Sequence, residues 1–141
     1  MVKILKYLAI GVITVIIFIF LLLKWMFWAP SDIQRNSLIY YLKVPKHVKE
    51  FPLWGTVNTP LYDVRYADGE KKSITVIDYT SSLNQQDLLK IARNLAFRCR
   101  QQAKEKMVCE KKTEIGQSIE MDFVKPNEAN YFRITVVFIG Y

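Results

Sequence analysis

The sequence predicts an α+β protein: a single N-terminal transmembrane helix, followed by a small antiparallel sheet packed on one amphipathic helix. Three observations carry this. A long apolar run lies near the start, several later segments alternate apolar and polar residues, and one segment between them has helical periodicity. At 141 residues there is room for one ordinary domain. The expected organisation is a membrane anchor over 1–29, a juxtamembrane helix and extended linker over 30–60, and the α+β domain over 61–141.

The apolar run "YLAIGVITVIIFIFLLL" covers residues 7–23 and is interrupted only by Thr14. Extended through Trp28, a span over about 7–28 is about 33 Å of helix at 1.5 Å per residue. A hydrocarbon core is about 30 Å thick. Lys24 is placed to snorkel, and Trp25 and Trp28 suit the headgroup boundary, so these three are the membrane-interface candidates. A buried core helix fits poorly, because so small a domain cannot cover it on every side. A cleaved signal peptide also fits poorly, since "KWMFWAP" offers bulky aromatics where a cut site needs small residues. Positive charges before and after the span nearly balance. Long domains translocate largely regardless of their charge, which favours a cytoplasmic N-terminus and a periplasmic or extracellular C-terminal domain. The expected location is thus the inner membrane.

After the anchor, Ser31 and Gln34 have the form of a capping box for a short helix over about 32–43. The proline-bearing "KVPKHVKEFPLWGTVNTP" reads as a connector with a short edge strand near Trp54–Val57. "LYDVRY" and "SITVIDY" flank the Asp-Gly turn of "ADGEKK" and make a hairpin over 61–80. In "SSLNQQDLLKIARNLAFRCRQQAKEK", Leu88, Ile91, Ala92, Leu95, Cys99 and Ala103 form one stripe of a helix over 84–105, with Asn84 and Asp87 in its first turn. "SIEMDF" alternates, and "YFRITVVFI" is the most β-prone run, hence central. The order is β-β-α-β-β, with room for one more strand over 107–112.

The two cysteines, Cys99 and Cys109, bear on compartment. A helix advancing about 9 Å from Cys99 to Lys104, reversed by a strand from Met107 running back about 10 Å, sets the two sulfurs level. An external domain would close them as a disulfide. Redox motifs space cysteines two apart, and two cysteines with one distant histidine are too few for zinc. No catalytic residue, metal site or cofactor is therefore expected. His47, the only histidine, has no partnered nucleophile in the sequence. Asp63, Asp78, Glu120 and Asp122 lie on strands, where acid–base work would need two to converge. The glycines are scattered, with no phosphate-cradling loop.

The net charge of +7 falls to +4 without Lys3, Lys6 and Lys24, leaving 17 basic against 13 acidic side chains. That is ordinary for a soluble domain. On the predicted helix, Phe97 lies opposite the apolar stripe amid Lys90, Arg93, Arg100 and Lys104, which makes this group the candidate partner contact. The leading functional expectation is a non-catalytic membrane protein, in contact with the bilayer through residues 7–28. Its external domain binds another protein at the envelope, as an assembly subunit or an immunity or exclusion-type factor. The rival is a cytoplasm-facing domain whose basic face on helix 84–105 meets nucleic acid or anionic lipid, with free thiols. A small hydrolase using the strand carboxylates ranks third.

Overall fold

The computed structural model describes residues 2–26, 28–66, 72–103, 105–113, 116–127 and 129–140; within the first helix, the side chains of residues 2–6 and 9 lie outside that description. The elements run α1 (Val2–Met26), β1 (Ile33–Gln34), α2 (Leu38–Lys43), α3 (Lys46–Lys49), β2 (Leu61–Arg65), β3 (Ile74–Ser81), α4 (Gln85–Asn94), β4 (Arg98–Ala103), β5 (Lys106–Lys112), β6 (Ser118–Val124) and β7 (Phe132–Ile139). The strands form one seven-stranded antiparallel sheet in the order β1-β2-β3-β7-β6-β5-β4.

The two-residue period of the strands decides which face is buried. Along β3, Thr75, Ile77, Tyr79 and Ser81 point to the core, and Ile134, Val136 and Phe138 do so along β7. Leu88 and Ala92 of α4 join the same core, as do Tyr40, Val44 and Val48 from α2 and its C-terminal neighbours. Phe138 is met edge-on by Phe51 at 5.3 Å and by His47 at 5.8 Å between ring centroids. α2, α3 and α4 therefore cover one face of the sheet. The opposite face carries alternating charged and apolar side chains that are partly exposed.

Gly55 anchors the connector to this sheet. Its φ of 59° lies in the left-handed region, and a Cβ there would meet Leu83 Cγ at 2.6 Å. The turn lets Thr56 bridge to Ser81, while Ser81 Oγ donates to the Trp54 carbonyl at 2.7 Å.

Helix α4 starts where the sequence indicates. Asn84 is its N-cap and accepts from the Asp87 N–H at 2.9 Å. Its end is earlier than expected. The Ala96 N–H donates to the Arg93 carbonyl at 2.9 Å and the Phe97 N–H to the Ala92 carbonyl at 3.0 Å. These two bonds are the Schellman pattern, with Ala96 in the left-handed conformation at φ 62°. Phe97 then falls in the position whose side chain folds back on the helix, and it is buried at 6% exposure.

Four expectations are corrected here. The sheet has seven strands rather than four or five, because residues 98–103 pair with β5 instead of continuing the helix and Ile33–Gln34 pair with β2 at the other edge. The helix expected over 32–43 is β1 followed by α2, whose N-cap is Ser37 rather than Ser31. Near Trp54–Val57 there is a single bridge, not a strand. The fourth concerns the anchor: among the described residues, no helix is long and apolar enough to cross a membrane. The hairpin strands over 61–80 form as β2 and β3, while the Asp-Gly turn, within 67–71, lies outside the described residues.

Two stability predictions follow from strain and burial. Ala96→Gly removes the cost of a Cβ in the left-handed region and should raise unfolding free energy by about 1 kcal/mol in urea titrations. A loss would contradict the Schellman ending of α4. Tyr79 is buried, and its hydroxyl has no well-formed hydrogen bond among the described residues. Burial pushes its phenol up to about 12, only partly offset by the nearby Trp54 backbone. The unfolded tyrosine ionises near 10 while the native one keeps its proton, so stability present below pH 10 is lost as pH rises towards 12. The loss should reach roughly 2 kcal/mol. Burial raises Tyr62 as well, so it adds in the same direction. Tyr79→Phe should flatten part of the alkaline decline and cost little at neutral pH, because the hydroxyl has no well-formed hydrogen bond to lose among the described residues.

Candidate interaction surface

Two strands form the edges of the sheet. β1 is only two residues long, whereas β4 offers six, "RCRQQA", almost wholly exposed. β4 is held by β5 in the register Arg98↔Glu110, Cys99↔Cys109, Arg100↔Val108 and Gln101↔Met107, with a bulge before Ala103. Cys99 and Cys109 thus stand directly opposite one another and are joined by a disulfide, their Cα atoms 4.0 Å apart. The expected pairing is found, by a different route. The cysteines sit on adjacent strands, and Cys109 is fully buried beneath the helices.

The alternation that aims Cys99 at the core turns Arg98 and Arg100 to the opposite face. Arg100 Nη2 donates to Glu110 Oε1 at 3.0 Å, with the arginine side chain 75% exposed. An exposed pair of this kind contributes at most about 1 kcal/mol. Beside the start of β4 lies a cavity of about 370 Å³ lined by Ala96, Arg98, Glu110, Lys111 and Lys112. Lys111 reaches back to the end of α4, donating to the Leu95 carbonyl at 2.9 Å with its ammonium 5.7 Å from the Phe97 ring centre. This caps a helix C-terminus with a cation, as the helix dipole favours.

The candidate contact group is not brought together. Phe97 is buried rather than exposed, because the helix stops at Asn94 and the helical wheel does not extend to it. Lys90 and Arg93 are exposed on α4, Arg100 lies on the other face of the sheet, and Lys104 lies outside the described residues. The basic face expected on a helix over 84–105 is therefore divided between two elements. Sequence reasoning missed Arg98, Lys111 and Lys112. The usable signal was the two-residue alternation of Arg98 and Arg100 about Cys99.

The strand carboxylates share the open face but have separate tasks. Asp63 Oδ1 accepts the Asp32 N–H at 2.7 Å, fixing that residue in its left-handed conformation. Asp78 Oδ1 accepts from Thr135 Oγ1 at 2.5 Å and lies 3.9 Å from Arg133 Nη2. Asp122 is 3.0 Å from Lys106 Nζ. Asp78 and Asp122 flank Thr135 on opposite sides, two strand spacings or about 10 Å apart. Glu120, also on β6, stands opposite Glu110. Among the described residues no group of three His, Cys, Asp or Glu side chains is placed to hold a metal ion.

At the other end of the molecule, Lys43 joins α1 to the domain. Its ammonium donates to the Trp25 and Met26 carbonyls at 3.0 and 3.3 Å, 4.3 Å from the Trp25 ring centre and 5.1 Å from that of Tyr66. Lys24, Trp25 and Trp28 are exposed there and share one open concavity with Leu21 and Ala29.

Replacing both cysteines by alanine should lower unfolding free energy by about 2–3 kcal/mol, the loop-closure contribution for a ten-residue separation. Reduction of the native chain should give a similar loss in urea titrations, and an unchanged midpoint would contradict a closed pair. No protein-family model matches this chain, nor does any curated protein or solved structure.

Proposed function

We propose that this chain is a non-catalytic binding protein held at a lipid surface, whose sheet domain stands in an oxidising space outside the cytoplasm and engages another protein. The observation that carries the reading is the cross-strand disulfide on the exposed terminal strand. It fixes a basic edge in place, and such bonds persist in oxidising compartments. Lipid contact is supported by α1. Its apolar side chains from Ile10 to Met26 are exposed on every side, far more apolar surface than a monomer leaves in water. Trp25 and Trp28, 48% and 45% exposed, suit a headgroup layer near its end. Of the four strand carboxylates, Asp63, Asp78 and Asp122 are bound to the Asp32 backbone, to Thr135 and Arg133, and to Lys106, which favours a structural task for those three. Assembly subunit and immunity or exclusion-type factor remain the two forms of the reading.

The test combines compartment and contact in cells expressing the full chain. A membrane-impermeant maleimide should label Cys99, the partly exposed member of the pair, only after reduction and without permeabilisation. Photo-crosslinking residues placed at Lys90, Arg100 and Glu120 sample α4, the sheet edge and the open face. At least one should capture a protein. Thiols that react unreduced and only after permeabilisation, or no protein adduct at any of the three positions, would overturn the reading.

A further inference from the structure

We infer that the outer edge of β4 takes up an extended acidic segment of the partner protein as an eighth strand; this rests on the protein-binding reading and names the partner's chemistry. The first ground is geometric. Opposed residues of an antiparallel pair alternate between those that exchange hydrogen bonds and closer ones that do not. The Cα separation of 4.0 Å places Cys99 and Cys109 in the closer kind. The Cys99 N–H and C=O accordingly point away from β5, towards the outer side, where no further strand lies among the described residues. Strand addition at such an edge is a recurring mode of peptide recognition.

The second ground is charge. Arg98 and Arg100 project from the edge onto one face, and Lys112 lies beside Arg98 around the adjoining cavity. Glu110 is the acidic side chain lining that cavity, and it is taken by Arg100, with Glu120 one strand further in on β6. An incoming strand presents every second side chain to that same face. Glutamates or aspartates at those positions meet Arg98 and Arg100, and one can enter the cavity towards Lys112. A carboxylate suits arginine because two N–H groups can bind it side by side.

A second copy of this chain is a poorer occupant. Two β4 strands laid antiparallel would gather Arg98 and Arg100 of both copies on one face, and like charges across a strand pair are destabilising. The charged edge that deters self-pairing is the one that selects an acidic guest.

The experiment uses the full chain in detergent micelles with a fluorescent peptide alternating glutamate with valine or threonine. Two controls accompany it: the same peptide N-methylated on alternate amides along one edge, and one with lysine in place of glutamate. Strand addition predicts that N-methylation weakens binding by roughly tenfold or more, since backbone bonds are lost while charge is kept. It also predicts slowed amide exchange at Cys99 on binding. The variant Arg98→Glu/Arg100→Glu should lose the acidic peptide and take the lysine one, with an unchanged unfolding midpoint. Equal binding of the methylated and unmethylated peptides would reduce the site to a charged surface open to any polyanion and overturn the inference. So would a complete lack of peptide binding, or self-association through β4 that the peptide cannot displace. Protein adducts in cells from Lys90 or Glu120 but not Arg100 would sink this edge while leaving the protein-binding reading intact. Loss of adducts at all three would remove both.

Discussion

One row of side chains ties the domain together. From Ile33 it runs through Tyr62, Ile77, Val136, Met121 and Cys109 to Cys99, one residue on each of the seven strands, each opposite the next. All but the terminal Cys99 are buried. A slip of one residue anywhere would turn that strand's apolar set to solvent, so burial of the row holds the register of every pair. Each large buried side chain contributes about 1.5–3 kcal/mol, and the disulfide closes the row where burial runs out. That is why a strand as polar as "RCRQQA" can belong to the sheet at all.

The parts of the fold legible in the sequence are those where one signal acts alone. The alternation of Tyr62 and Val64, or of Met121 and Phe123, has no competing helical reading, and β2, β3 and β6 form as their patterns indicate. Asn84 was readable as a helix start because capping is local chemistry. The end of α4 was not. Helices usually announce their end with glycine, and here alanine occupies the left-handed position. Arginine, glutamine, alanine and lysine beyond it all favour helix, and Cys99 and Ala103 continue the spacing of Leu95. Pairing with β5 overrides that propensity, a tertiary effect invisible in a window of residues. On a helix continued to residue 105 Phe97 would have an outer face, which the ending at Asn94 denies it.

The candidate site was legible only in fragments for the same reason. Basic residues around 98–112 were plain, as was the pairing of the cysteines. Their arrangement as one sheet edge depended on recognising β4. Once that strand exists, the disulfide has two consequences. It ties the outermost strand to the core through Cys109, and its alternation turns both arginines outward together. A stiff edge also loses less conformational freedom on accepting a partner, which favours binding. At the opposite end, Lys43 ties the last carbonyls of α1 to the domain.

The central claim, that residues 98–103 form a strand whose row ends in Cys99, is tested most directly by nuclear Overhauser contacts in the labelled full chain. In a close antiparallel pair the two Hα atoms face each other, so Cys99 and Cys109 should show a strong Hα–Hα contact, with Gln101 and Met107 showing another. Helical contacts three residues apart through 98–103, with no Hα–Hα contact between the cysteines, would contradict the account.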